Sequence, residues 1–124
     1  MKLNELESTI NKAFEEKENV SEKSDTKILS AINETIELTD KGEVRVAEKK
    51  NGNWIVNQWV KKAILLSFKV NKMKMSKGPY TTWYDKVPGK SVLWNEEDWK
   101  KAGYRHVPNG VVRKGSFIAK GVVL

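Results

Sequence analysis

Two side chains able to do chemistry stand next to each other in Gly103-Tyr104-Arg105-His106-Val107-Pro108: the guanidinium of Arg105 and the chain's one imidazole, His106. A guanidinium is permanently charged and can hold a carboxylate through two parallel hydrogen bonds, a fork that an ammonium does not reproduce. Three acids, Glu96, Glu97 and Asp98, lie just upstream, and the residues alone favour an ordinary surface ion pair between them and Arg105. An imidazole accepts a proton near neutral pH, but a general base needs partners in reach, and no orienting carboxylate stands beside His106. A metal role is weaker still, because zinc takes three or more protein ligands. No catalytic residue and no metal site is therefore assigned. Arg113 is a second candidate for holding an anion, with a simple outward-facing position as its alternative. Lys72, Lys74 and Lys77 form a basic run whose field could attract phosphates, although a solvated charge run explains it as well. The absence of cysteine removes disulfides, thiolate catalysis and Cys-ligated zinc.

The charges are unevenly distributed. The 124 residues carry a net +7, yet residues 1–40 hold 5 Lys and Arg against 10 Asp and Glu, and residues 41–124 hold 18 against 6. The second part, at a net +12, is suited to an anionic partner: nucleic acid, a phosphorylated cofactor, a dicarboxylate, or the acidic first part itself. The length suits one domain with a modest core. The N-terminus is charged throughout and lacks the apolar core of a secretory signal. No run approaches the roughly 20 apolar residues of a membrane span, so a cytoplasmic location without membrane contact is expected.

Several elements must position these groups. Residues 3–17 read as an amphipathic helix with the stripe Leu3, Leu6, Ile10, Ala13 and Phe14. After a polar linker, Ser24 or Asp25 can cap a second helix with the stripe Ile28, Leu29, Ile32 and Ile36, ended by Gly42. The two predict an antiparallel helical hairpin. Val44 to Lys49 alternate in period two, Asn51-Gly52 suits a type I′ turn, and Trp54-Ile55-Val56 return as a strand. From Asn57 the period becomes 3.6: Trp59, Ala63, Leu66 and Val70 share a face widened by Val60, Ile64 and Phe68, which predicts a mostly buried helix. Asn71 to Tyr80 reads as an exposed loop or irregular edge, Thr81 to Tyr84 as a short strand, and Pro88-Gly89 as a turn. Asn95 to Ala102 is a short helix with a cap, acids in its first turn, lysines in its last and Gly103 beyond, with Trp99 as its anchor into the core.

Val112, Ile118 and Leu124 recur every six residues, and Gly115-Ser116 and Gly121-Val122 repeat at the same interval. A six-residue period is that of a parallel β-helix, whose coils bury their aliphatics only against the next coil. Judged alone, the period divides evenly between such a coil and an ordinary terminal strand.

Taken together, these segments resemble the N-terminal region of tetrahydrodipicolinate N-succinyltransferases. The resemblance is carried by Arg45-Val46-Ala47-Glu48-Lys49 with Gly52-Asn53-Trp54, by Trp59-Val60-Lys61-Lys62-Ala63 and by Leu65-Leu66-Ser67-Phe68. Tyr84-Asp85-Lys86-Val87-Pro88, Gly103 to Pro108, and Arg113 with Gly115 to Ala119 complete it. It implies an α+β fold: a helical hairpin, β-hairpin, buried helix and short capped helix over residues 1–110, leading over 111–124 into the first hexapeptides of a left-handed parallel β-helix. It further implies a homotrimer of the lysine and diaminopimelate pathway that moves succinyl from succinyl-CoA, a cosubstrate rather than a tightly bound cofactor, to tetrahydrodipicolinate. By the same resemblance Arg105 matches an arginine that contacts the dicarboxylate substrate. The family's chain is more than twice as long, and the coenzyme A walls and the acids facing the amine have no counterpart here, so no turnover is expected from these residues alone.

Two readings from other classes compete. Five Trp and the basic second part suit a module that stacks single-stranded nucleic acid. Against it, Trp54, Trp59 and Trp99 occupy core-type positions and no recognition motif appears. A structural or assembly domain would instead present Val122, Val123 and Leu124 as an association edge.

Overall fold

The structure, a computed structural model, describes all of residues 1–124. It is α+β, with four α-helices and two small antiparallel hairpins. Helix α1, Leu3–Glu15, buries Leu6, Ile10 and Ala13, while Leu3 stays more than half exposed in the first turn. A 3₁₀ turn at Lys17–Asn19 and a short loop lead to α2, Thr26–Asp40. Of the two candidate caps it is Asp25 that acts, its carboxylate accepting the Lys27 N–H at 2.7 Å. Helix α2 runs back along α1, with the N-terminal ammonium on Glu34 at 2.7 Å and Lys27 opposite Glu5 at 3.7 Å. Its buried face is Ala31, Ile32, Thr35 and Thr39, smaller than the expected isoleucine stripe. Each Thr hydroxyl is satisfied within the helix, Thr35 donating to Ala31 O at 2.7 Å and Thr39 to Ile36 O at 2.8 Å. Gly42, at φ 75°, closes the helix in the left-handed region, and Glu43 N–H donates back to Leu38 O at 2.9 Å.

Strands β1, Ala47–Lys50, and β2, Asn53–Val56, pair antiparallel around Asn51-Gly52, both at positive φ as a type I′ turn requires. Asn57 joins this hairpin to the next helix: its amide donates to Arg45 O at 2.7 Å and Glu48 Oε1 at 2.9 Å. Helix α3, Gln58–Val70, is the centre of the fold and packs on both α1 and α2. Only Gln58, Lys61, Leu65 and Lys69 are exposed along it, one narrow stripe. The core gathers Leu6, Ile10, Ile32, Val60, Ala63 and Leu66 between the three helices. Lys62, beside the exposed stripe, is half-buried and donates to Asn11 at 2.7 Å.

Three expectations are corrected. Residues 71–80 are not simply a loop: β3, Lys74–Lys77, pairs antiparallel with β4, Thr82–Asp85, exposing nearly every residue. With neither face buried, the stretch shows no alternation to read. Trp54 is 71% exposed rather than in the core, because the β1–β2 hairpin projects from the helices. Trp99 does not reach the helical core either. Helix α4, Glu96–Ala102, has no buried residue, and Trp99 joins a separate aromatic cluster with Trp94 and Tyr104. The helix ends are as expected, with a full capping box between Asn95 and Asp98 and Gly103 in the left-handed region.

The C-terminal stretch turns at Lys114-Gly115 and again at Lys120-Gly121, six residues apart. Arg105 bridges Val123 in parallel, a return after 18 residues. No helix is long and apolar enough to cross a membrane.

Candidate functional site

Arg105 follows directly from the way α4 stops. The Gly103 N–H donates to Trp99 O at 3.0 Å, its positive φ turns the chain, and Tyr104 starts an extended run. Backbone bonds then lock that run to the last residues: Arg105 N–H to Val122 O at 2.9 Å, Leu124 N–H to Arg105 O at 3.0 Å, and Val107 N–H to Leu124 O at 3.0 Å. Extended backbone alternates its side chains. Tyr104 is buried and His106 half-buried against Trp99, whereas Arg105 is exposed.

The Arg105 side chain makes no ion pair and no hydrogen bond. The upstream acids are otherwise engaged: Lys100 holds Glu97 at 3.2 Å and Glu96 at 3.8 Å, and Asp98 accepts from Asn95 N–H at 3.0 Å. The ion pair that residue types alone favour is thus not formed. The guanidinium stands solvated at the strand that meets the C-terminal end.

His106 does not meet the geometry of a general base. Its Nε2 is buried without a hydrogen-bond partner beneath the turn at Gly110, where a Cβ would lie 2.7 Å from it. No carboxylate orients the ring. Arg113, the second candidate, is already engaged: it pairs with Asp85 Oδ2 at 2.5 Å and lies 5.8 Å from the Phe68 ring centre, tying the C-terminal stretch to β4 and α3. Hydrogen bonds from Arg113 and the Lys86 N–H hold the Asp85 carboxyl below its ordinary range. Of the basic run, Lys72 pairs with Glu22 at 3.4 Å, while Lys74 and Lys77 stay exposed on β3. An open groove separates the β3–β4 hairpin from residues 110–116, with Lys74, Trp83, Lys86, His106 and Lys114 on its walls; Arg105 is outside it. Of the five Trp, Trp54 and Trp83 are exposed on the two separate hairpins, Trp59 is buried, and Trp94 and Trp99 meet edge to face at 4.9 Å.

One buried charge cluster had no expectation attached. Asp40, the last residue of α2, is buried at the junction between helices and C-terminal stretch. It accepts the Gly115 N–H at 2.7 Å, the Lys90 ammonium at 2.8 Å and the Lys114 ammonium at 3.3 Å, and Lys114 also reaches Glu37 at 2.9 Å. Burial alone would raise the Asp40 carboxyl, but the bonds from Lys90 and Gly115 with both lysine charges outweigh it, and the net displacement is downward. Burial opposes the Lys114 charge in the same way, and Glu37 and Asp40 overcome it, leaving that ammonium raised. Burial and the Asp40 charge together raise the neighbouring Tyr104 phenol. A signal existed in the sequence: an acid in the last turn of a helix opposes the dipole and calls for compensation.

Residues 5–70 match the family model described as Tetrahydrodipicolinate N-succinyltransferase N-terminal. A protein of Pelagibacter ubique (strain HTCC1062) named 2,3,4,5-tetrahydropyridine-2,6-dicarboxylate N-succinyltransferase is 57% identical over 125 residues, covering 98% of this chain and 46% of the relative. Relatives of the same name in Bradyrhizobium diazoefficiens and Agrobacterium fabrum are 48% and 47% identical, covering 100% and 98% of this chain and 45% and 44% of their own lengths. The chain spans just under half the length of the curated relatives it matches.

Proposed function

Because this chain belongs to the tetrahydrodipicolinate N-succinyltransferase family and corresponds to its N-terminal part, we propose that it is the platform on which a succinyl-CoA-dependent acyltransferase holds its dicarboxylate acceptor, with Arg105 gripping one carboxylate. The observation that carries this is the unpaired, exposed guanidinium on a strand paired in parallel with residues 18 positions later. Three hexads make that interval, which supports reading residues 111–124 as the first hexapeptides of a parallel β-helix, left-handed in the family's manner. The coil would continue in the remainder of the enzyme, which assembles as a homotrimer in the cytoplasm and serves lysine and diaminopimelate synthesis.

Acyl transfer needs an unprotonated amine, a group to take its proton, and donors for the thioester oxyanion. Residues 1–124 offer no such constellation, so this part binds and orients, and the acyl chemistry falls to the rest of the enzyme. A bidentate arginine–carboxylate contact suits binding of the acceptor. Charge-assisted hydrogen bonds contribute about 1.5–3 kcal/mol each, which corresponds to roughly 10- to 100-fold in affinity.

The test uses a chimera in which residues 1–124 replace the matching part of the 57%-identical relative. Arg105→Ala and Arg105→Lys should each raise the KM for the dicarboxylate by about tenfold or more, with kcat and the KM for succinyl-CoA little changed. Unaltered dicarboxylate kinetics in both variants would remove Arg105 from the site.

A further inference from the structure

Trp99 lies outside the helical core and is only half-buried, yet it is the centre of the second cluster in the molecule. Its ring meets Trp94 at 4.9 Å and 76°, Tyr104 at 5.4 Å and 67°, and His106 at 5.9 Å and 48°. Tyr104 and His106 are the two residues that flank Arg105. Trp94 touches Tyr104 at 6.1 Å but makes no ring contact with His106, so Trp99 alone among the aromatics supports both flanks. The same residue supplies the carbonyl that receives the Gly103 N–H at 3.0 Å, which ends α4 and launches the strand. Neither flanking side chain has another polar anchor, because Tyr104 Oη and His106 Nε2 are both buried without partners. Tyr104 is therefore placed by edge-to-face packing, which is directional, and His106 by its tilted contact with the Trp99 ring together with the turn at Gly110 above it.

We propose that Trp99 is a positioning residue for Arg105: by seating Tyr104 and His106 on one side of the strand, it sets the direction in which the guanidinium leaves on the other. This rests on the reading of Arg105 as the carboxylate-holding group. The fork geometry of a bidentate contact tolerates little rotation of the strand, and a misplacement near 1 Å can cost as much as ~100-fold. Trp99→Leu removes both ring contacts; Trp99→Phe keeps an aromatic ring beside Tyr104 and His106.

Two measurements decide it. In the chimera, Trp99→Leu should raise the dicarboxylate KM about tenfold with kcat and the succinyl-CoA KM within about twofold, Trp99→Phe should restore most of the loss, and Trp99→Leu added to Arg105→Ala should cost little more than Arg105→Ala alone. If Arg105→Ala raises the KM and Trp99→Leu does not, the positioning role is wrong; if Arg105→Ala itself changes nothing, the Arg105 reading has failed and this role fails with it. In the 124-residue chain, amide exchange of Trp99→Leu should show lost protection at Arg105, Val107 and Leu124 with α3 still protected. Unchanged protection at those three amides, or equal loss throughout α1 to α3, overturns the proposal in either case.

Discussion

Asp40 and Arg105 show two opposite uses of a charge. Arg105 is left solvated and unpaired, available to an anion. Asp40 is taken from water and surrounded by two ammonium groups and a backbone N–H, an arrangement in which breaking one partnership leaves the others exposed to the full cost of burial. Asp40→Asn should lower the unfolding free energy by about 3–5 kcal/mol in urea titration at pH 7, because the Lys90 ammonium stays buried without its counter-charge. A loss below about 1 kcal/mol, the range of an exposed pair, would contradict the buried-hub assignment. The same residue predicts an acid response. Its carboxyl lies lower folded than unfolded, so its contribution is fully present above the ordinary value of about 3.9 and disappears as pH falls through the folded value. Lys114 works in the other direction: raised on folding, it stabilises below about pH 10.4 and loses its effect as pH climbs through the folded value. Stability measured across pH should therefore fall below about pH 4, and Asp40→Asn should flatten that limb; an identical slope in the variant would count against it. None of this was visible as a motif. Residues 40, 90, 114 and 115 are far apart in the chain, and only the dipole mismatch at the end of α2 marked one of them.

At the scale of elements, local rules were reliable wherever one face was buried or one backbone angle was demanded. The Asn51-Gly52 turn, the capping box of α4 and the stop at Gly42 are set by φ > 0 and by orphan N–H groups, both of which leave residue-type signatures. Gly42 has a further duty: a Cβ there would stand 2.7 Å from the Phe117 ring, which lies across the end of α2. Gly42→Ala should cost more than about 1 kcal/mol, since both φ and space are wrong, whereas Gly52→Ala meets no neighbouring atom within 4 Å and strains only its turn. Chemical denaturation of the two variants separates these cases; equal costs would mean that the Phe117 contact contributes nothing. The expected strand at Thr81 to Tyr84 forms as β4, but its partner β3 escaped, because a ribbon exposed on both faces has no periodic pattern and Lys74-Met75-Ser76-Lys77 contains no β-branched residue.

The whole molecule has two packed regions of unequal strength. The α1–α3 core contains the fully buried aliphatics, the aromatic cluster around Trp99 is smaller and half-open, and the Asp40 hub joins them. Local opening follows burial. Amide exchange should be slowest in α3, intermediate at Arg105, Val107 and Leu124, and fastest in the two-stranded β3–β4 ribbon, which lacks a packed face. Exchange from β3–β4 as slow as from α3 would show that this ribbon is covered in solution.

What the sequence determined by itself was local: helix periods, caps, the type I′ turn, the six-residue spacing at the end, and the family to which those residues point. Each follows from neighbours within a few positions, where backbone geometry and side-chain type are directly coupled. Tertiary structure alone decided that Trp54 faces solvent, that Arg113 is spent on Asp85, that Asp40 gathers Lys90, Lys114 and Gly115, and that Arg105 lies beside Val123 with its guanidinium unpaired. Those outcomes depend on which distant groups arrive together when the core closes, and the energy of such meetings leaves no pattern in the order of residues along the chain.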